Sequence, residues 1–174
     1  MDKQDRQKHI IAIVLENEAG ALSRVVGLFS QRGYNIDSLT VSTTQDSTLS
    51  RITLVTQATD MEAEQLVKQL HKLIPVLKVS NLTESAHIER EIVLVKCRAD
   101  SPVQRDELKR LADIFNGQVV DVTPASYIIQ LVAKSGTIDA FIETLSKVSR
   151  NNILEMTRSG ITGISRGSRG MVLS

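Results

Sequence analysis

The chain has 174 residues and 41% hydrophobic content, enough for one large domain or two small ones with an ordinary buried core. Its 21 basic and 20 acidic residues leave a net charge of +1, so no strong field favours nucleic acid or a membrane surface. A single cysteine, a polar segment at 1–8 and no long apolar run predict a cytoplasmic protein without a disulfide or membrane association.

The first half of the chain follows the order βαββαβ. The pattern predicts strands at 10–15, 36–44, 51–58 and 76–79, and helices with apolar stripes at 22–29 and 63–73. The strand segments are continuous apolar or β-branched runs, whereas the helical segments have apolar residues three and four positions apart. Gly33 is placed to end the first helix.

The second half repeats this order. It predicts strands at 91–97, 118–123, 127–133 and 153–156, and helices with apolar stripes at 108–115 and 138–148. We therefore predict an α+β protein of two ferredoxin-like βαββαβ domains in tandem, each an α/β sandwich with two helices on one face of an antiparallel sheet. Units of roughly 75 residues bury little surface alone, so self-association is expected.

The domain boundaries follow from composition. We expect a flexible segment at 1–8, a first domain at 9–82, a linker at 83–90, a second domain at 91–167 and a flexible tail at 168–174. The interval at 83–90 is polar. The tail begins within a Gly, Ser and Arg-rich stretch, and chain ends of that kind are usually flexible.

Two asparagines and a glycine flank the first helix. Asn17 and Gly20 occupy the turn before it, and Asn35 opens the connection after it. A free amino acid could place its carboxylate on backbone N–H groups at the helix start. A side-chain amide can accept from its ammonium group and donate to its carboxylate. These residues therefore suit the binding of a small zwitterion.

The pocket beside this turn is expected to be apolar. Leu15, Leu22 and Ile36 would line it and favour an aliphatic amino acid, without choosing one over another. Asn and Gly are also common in loops for structural reasons, with Asn17 forming an Asx turn and Asn35 opening a strand. On spacing alone this structural interpretation is favoured.

No group of residues predicts catalysis or a metal site. His9, His71 and His87 are far apart and lack cysteine or carboxylate neighbours at ligand spacing. Cys97 lies in an apolar strand, where a thiol is usually an inert core residue. Ser23 has no histidine partner that suggests a catalytic triad. The chain is therefore predicted to be a sensor rather than an enzyme.

Several segments resemble one known family, the regulatory (small) subunits of acetolactate synthase. LENEAGALSRV at 15–25 and LFSQRGYNIDSLTV at 28–41 resemble the ACT domain of that family. EREIVLVK at 89–96, QVVDVTP at 118–124 and SGITGISRG at 159–167 resemble its C-terminal domain. The resemblance is specific, because ACT domains in general share the Asn-x-x-Gly turn but not the later motifs.

The resemblance implies a non-catalytic subunit of branched-chain amino acid biosynthesis. Such a subunit activates a catalytic large subunit and confers feedback inhibition by valine above all, or by leucine or isoleucine. The effector lies between the ACT domains of a homodimer. One chain would supply Asn17, Ala19, Gly20, Ala21 and Leu22, and the other Asn35 and Ile36. No cofactor is expected in this chain, since thiamine diphosphate, Mg²⁺ and FAD would belong to the large subunit.

Two other classes of protein stay open. A free-standing tandem-ACT regulator, such as the glycine-cleavage repressor type, would sense an amino acid without an enzyme partner, and the later motifs speak against it. An RNA-binding ferredoxin-like module would need exposed aromatics on its sheet and a basic face. Two tyrosines, three phenylalanines, no tryptophan and a net charge of +1 do not supply them.

Overall fold

The computed structural model describes residues 5–148, 152–168 and 170–171. Residues 1–4 of the predicted flexible segment, and 169 and 172–174 of the predicted tail, lie outside the described residues. The strands are β1 (Gln7–Glu16), β2 (Ser38–Thr43), β3 (Leu49–Ala58), β4 (Val76–Asn81), β5 (His87–Arg98), β6 (Gln118–Val122), β7 (Ser126–Ala133), β8 (Ile153–Arg158) and β9 (Thr162–Ser165). The helices are α1 (Ala21–Gln31), α2 (Asp60–Leu70), α3 (Pro102–Ile114) and α4 (Ser135–Val148).

The chain divides into two compact units. The first combines the residues up to Ile88 with those from Ile161 onward, and the second runs from Glu89 to Gly160. Their sheets have the strand orders β2-β3-β1-β4 and β6-β7-β5-β8, and the neighbouring strands are antiparallel. This is the strand order that a βαββαβ unit produces. The predicted α+β class with two tandem βαββαβ units is confirmed.

The first unit buries both faces of β1, a central strand of its sheet. Its odd-numbered residues pack under α1 and α2, in a core that includes Ile11, Ile13, Val25, Phe29, Leu66 and Leu70. Its even-numbered Ile10 and Ala12 face the opposite side, where they are also fully buried. The continuous apolar run at 10–15 reflects this burial on two sides.

The second unit has its core on one face of its sheet. Alternate residues of β5 point inward and pack with α3 and α4, in a core that includes Val93, Val95, Cys97, Leu108, Leu111, Phe141 and Leu145. The rings of Phe115 and Phe141 meet edge to face with centroids 5.3 Å apart. None of the helices in the described ranges is long and apolar enough to cross a membrane.

Two features differ from the sequence expectations. β5 begins at His87, so the interval at 83–90, expected as a linker, contains the start of a strand. The residues from Ile161 to Gly167, expected in the second domain, belong to the first unit. β9 pairs with β5, and Arg166 N donates to Ala86 O at 2.9 Å. Pairing between segments so far apart in sequence leaves no local pattern to reveal it.

Candidate functional site

The start of α1 has no side-chain cap. α2 and α3 begin with capping boxes, in which Thr59 and Ser101 each accept from a backbone amide three residues later. α1 follows Gly20 instead, which offers no side chain, and the first turn of α1 holds no acidic residue. Ala21 N–H donates to Glu18 O at 3.3 Å, so the N–H groups of the first turn that remain for an anion such as a carboxylate are those of Leu22 and Ser23.

Gly20 is required by the backbone conformation of the turn. Its φ is 86° and its ψ is −9°, in the left-handed region, where other residues cost roughly 1–2 kcal/mol. A Cβ atom built on Gly20 meets no other atom within 4 Å. The space beside the helix start is therefore open, and a side chain introduced at this position would project into it.

Asn17 joins this turn to the β2–β3 loop. Its backbone N–H donates to Thr48 O at 2.8 Å, and its side-chain Nδ2 donates to Ser47 O at 3.0 Å. The side chain thus reaches a separate loop rather than forming the Asx turn considered from the sequence. Among the described residues, Asn17 Oδ1 has no hydrogen-bond partner, which leaves it as an acceptor for an ammonium group.

Ser47 and Thr48 contribute to the site although nothing in the sequence pattern indicates it. Both lie in the loop that connects β2 to β3, about thirty positions from Asn17, since the bond from Asn17 to Ser47 spans 30 residues. Both residues bond to Asn17 through their backbone carbonyl oxygens. Their side-chain types therefore do not indicate the contact. Residues of this kind become visible only when the sheet register is known.

Asn35 is held in place by hydrogen bonds to its own loop and to β3. Its Nδ2 donates to Asp37 Oδ1 at 2.7 Å, and Gln57 Nε2 donates to the other oxygen of Asp37 at 3.1 Å. The carbonyl oxygen of Asn35 accepts from Thr56 Oγ1 at 2.6 Å. β2 begins at Ser38, so Asn35 lies in the connection before the strand and does not open it as the structural interpretation expects. Its side chain is exposed and is held in one orientation by Asp37.

Within one chain, the two predicted halves of the site lie at opposite ends of α1. The turn at 17–20 precedes this helix and Asn35 follows it. Eleven helical residues span about 16 Å at the usual rise of 1.5 Å per residue. A free amino acid cannot bridge that distance, so a single chain does not bring 17–22 together with Asn35 and Ile36.

The apolar residues expected around the pocket differ in burial. Leu22 is 39% exposed beside Gly20, and Ile36 is half-buried against the helix-side core. Leu15 is 2% exposed and belongs to that core, because its odd-numbered position on β1 points under the helices. Leu22 and Ile36 are therefore accessible to a ligand, whereas Leu15 supports the site from beneath.

Cys97 is fully buried in the second unit, and burial raises the pKa of its thiol to about 11 from an ordinary 9.0. At pH 8 its thiolate fraction is then about a hundredth of that of an ordinary thiol. We expect the native protein to react with Ellman's reagent at least that much more slowly than the urea-unfolded chain. Equal rates in the two states would contradict the burial of this thiol.

The described residues hold no group of three or more His, Cys, Asp or Glu side chains arranged to bind a metal ion. The groups present at the candidate site are amides, backbone N–H groups and apolar side chains. They can recognise a zwitterion by hydrogen bonds and by contact with its side chain.

Comparison with known proteins places the chain in a family. A model described as "AHAS small subunit-like ACT domain" matches residues 11–78, and a model described as "Small subunit of acetolactate synthase" matches residues 90–167. The chain is 54% identical over 164 residues to the acetolactate synthase isozyme 3 small subunit of Escherichia coli, which covers 94% of this chain and 99% of that protein. The chain belongs to the family of acetolactate synthase small subunits.

Two further relatives agree with this assignment. The acetolactate synthase small subunit of Haemophilus influenzae is 55% identical over 165 residues, covering 95% of this chain and 99% of that protein. The crystal structure of the Thermotoga maritima acetolactate synthase small subunit superposes with a TM-score of 0.82 at 32% identity, covering 94% and 99% of the two chains. As a small subunit with an ACT domain, the chain has a regulatory role.

Proposed function

We propose that this chain activates a catalytic large subunit of acetolactate synthase and confers feedback inhibition by branched-chain amino acids, with valine as the first effector to test. The observation that carries the proposal is the uncapped start of α1 at Gly20, inside the region matched as an ACT domain. The effector carboxylate would accept from N–H groups there, and its ammonium group would donate to Asn17 Oδ1.

The energies of these contacts are individually modest. A carboxylate at a helix N-terminus gains about 0.3–1 kcal/mol, or up to about 2 kcal/mol where partly buried. A branched aliphatic side chain gains about 1.5–3 kcal/mol when it is fully buried. Leu22 supplies part of that apolar surface from this chain. The remainder must come from another element, because Leu22 is itself 39% exposed.

A second copy of the chain would complete the site. Asn35 and Ile36 lie at the far end of α1 in one chain, so a homodimer through the ACT domains is needed to place them opposite the turn. In that arrangement one chain contributes Asn17, Ala19, Gly20, Ala21 and Leu22, and the other contributes Asn35 and Ile36. An effector bound between two chains would then stabilise one geometry of the dimer over others.

Feedback follows from linkage between effector and enzyme. A coupling free energy of roughly 1–3 kcal/mol would change the affinity for one ligand when the other is bound, and the change is reciprocal. The catalytic chemistry, with its thiamine diphosphate, Mg²⁺ and FAD, is assigned to the large subunit. The small subunit would act in the cytoplasm by binding and conformation alone.

A free-standing amino-acid-sensing regulator is the second candidate. It would use the same turn but would not need an enzyme partner. The match over residues 90–167 to a small-subunit model favours the enzyme complex. Co-purification with a large subunit, followed by measurement of its activity with and without this chain, separates the two functions.

Calorimetric titration with valine tests the proposed site. We expect Asn17→Ala to weaken binding by about tenfold or more, because a hydrogen bond to a charged group contributes about 1.5–3 kcal/mol. Gln45→Ala is the control, since it removes an exposed amide from the β2–β3 loop without touching the turn. The titration is repeated with the large subunit present, in case the assembly shapes the site.

Either of two outcomes would reject part of the proposal. Valine binding that is unchanged in Asn17→Ala would place the effector elsewhere on the chain. Absence of binding and of inhibition, both with and without the large subunit, would show that this chain does not sense valine.

A further inference from the structure

The segment after Ile161 crosses the sheet face of the first unit opposite α1 and α2. We call the described part of this segment, residues 161–168 and 170–171, the C-terminal strap. Ile161 is 4% exposed. It belongs to a buried apolar cluster with Ile10, Ala12, Val55 and Leu82, against which Met171 also packs. The strap therefore covers apolar surface that the helices leave free.

The first residue of the strap is bonded to β2 through both of its backbone groups. Ile161 N–H donates to Ser38 Oγ at 2.9 Å, and Thr40 Oγ1 donates to Ile161 O at 3.2 Å. Both bonds are partly buried. Ser38 is two positions after Ile36, so β2 and the proposed effector segment form one short stretch of chain.

Further contacts hold the rest of the strap on the sheet. Arg51 Nη2 donates to Gly163 O at 2.8 Å, and Lys78 Nζ donates to Gly170 O at 3.2 Å. A Cβ atom on Gly163 would lie 2.9 Å from Leu82 Cδ1 and 3.5 Å from the backbone oxygen of Ile88. Leu82 is fully buried, so a side chain as large as valine at Gly163 would overpack this face of the sheet and should displace the strap.

The strap is continuous with the second unit through a single glycine. Ser159, in the second unit, exchanges two hydrogen bonds with Ile92: its N–H donates to Ile92 O at 3.0 Å, and its Oγ accepts from Ile92 N at 3.1 Å. Ile161, in the first unit, is bonded to β2. Gly160, with a φ of 84°, is the one residue between these two anchored positions.

We propose that the C-terminal strap transmits effector occupancy from the first unit to the second. The inference rests on the proposed effector site. An effector bound at Asn35 and Ile36 changes the position of the start of β2, and Ser38 and Thr40 pass that change to Ile161. Coupling between two sites requires an element with two arrangements. Here the element is the C-terminal strap, which is either bound to β2 or displaced from it.

The test removes the bonds between β2 and the strap and leaves the effector residues unchanged. Ser38→Ala combined with Thr40→Val deletes both side-chain groups and keeps a β-branched residue in the strand. Ser42→Ala is the matched control, since Ser42 lies two residues beyond Thr40 on the same strand and face. Valine affinity is measured with and without the large subunit, together with valine inhibition of the assembled enzyme.

Linkage predicts distinct results for the variant and the control. In the unmodified protein and in Ser42→Ala, addition of the large subunit should shift valine affinity by roughly 5- to 150-fold. In the double variant we expect valine to bind the isolated small subunit as before, and the large subunit still to be activated. The change of valine affinity caused by the large subunit, and the inhibition of the assembled enzyme by valine, should both be almost lost. Gly163→Val, which displaces the strap from its own side, should give the same loss.

The outcomes distinguish the relay from the sensor. A double variant and a Gly163→Val protein that both keep the full affinity shift and full inhibition would overturn the relay and leave the effector site standing. Failure of the unmodified protein to bind valine or to be inhibited by it would overturn the proposed function, and the relay with it. Folding of each variant is checked by its urea midpoint.

Discussion

A Gly20→Asp small subunit is expected to activate the large subunit and to leave the assembled enzyme insensitive to valine. The Cβ of residue 20 points into open space at the start of α1, so the new carboxylate would lie where the effector carboxylate is proposed to bind. Two like charges about 4 Å apart at an effective dielectric constant near 20 repel by about 4 kcal/mol. That penalty corresponds to roughly a thousandfold loss of affinity.

Two substitutions at the same position separate charge from backbone strain. Gly20→Asn has almost the shape of Asp and tolerates positive φ comparably, but carries no charge. Gly20→Ala imposes the strain without any polar group. Both should lose less valine sensitivity than Gly20→Asp. The measurement is acetolactate formation against valine concentration, and full sensitivity in Gly20→Asp would mean that the effector does not bind at this helix end.

The fold of each unit could be predicted because its signals are local. The apolar stripe of α1 and the glycine that ends it lie within one stretch of sequence. Gly33 adopts a φ of 71°, and Tyr34 N–H donates to Phe29 O, as expected where a glycine terminates a helix. Similar local patterns recur in the second half of the chain. The tandem arrangement of two units could therefore be predicted without knowing any contact between distant residues.

The position of the C-terminal strap could not be predicted, because it depends on contacts between residues that are distant in the sequence. β9 has four residues and includes Gly163, too few for an alternating pattern. The bonds from Ile161 to Ser38 and Thr40 join residues more than a hundred positions apart, with separations of 123 and 121. A sequence pattern assigns such a segment to the domain next to it in the chain.

Part of the candidate site could be predicted from the sequence. The Asn17 to Gly20 turn follows from a strand pattern that stops and a helical pattern that starts. The separation of Asn17 from Asn35 also follows from the sequence, since the length of α1 sets it. The bond from Asn17 to Ser47 does not, because it depends on how the β2–β3 loop folds back towards β1.

An ion pair formed by a buried carboxylate in the second unit carries the largest stability effect that we predict. Glu91, with its side chain 4% exposed, accepts from Arg158 through both carboxylate oxygens at 2.8 and 2.9 Å. Arg158 also donates to the exposed Asp139 at 2.7 Å. The hydrogen bonds to Glu91 raise the pKa of the Arg158 guanidinium above its ordinary value.

Glu91→Gln should destabilise the second unit by about 1.5–3 kcal/mol, the usual contribution of a hydrogen bond to a charged group, because the neutral amide loses the charge-assisted bonds to Arg158. The loss stays below that of a fully buried ion pair, since Arg158 keeps Asp139 and is 33% exposed. Hydrogen exchange of β5 and α4 amides in increasing urea measures the loss in that unit. The amides of β1 report the first unit in the same experiment.

Glu155→Gln is the matched control, because it makes the same substitution in a solvent-exposed ion pair. Glu155 pairs with Lys96 at 2.7 Å, with side chains 68% and 39% exposed, and exposed pairs contribute about 0–1 kcal/mol. Replacing both members of the pair, by Glu91→Leu with Arg158→Met, should recover most of the loss, since the one charge left without its partner, Asp139, is exposed to solvent. Equal losses in Glu91→Gln and Glu155→Gln would show that burial of Glu91 has no effect on its contribution to stability.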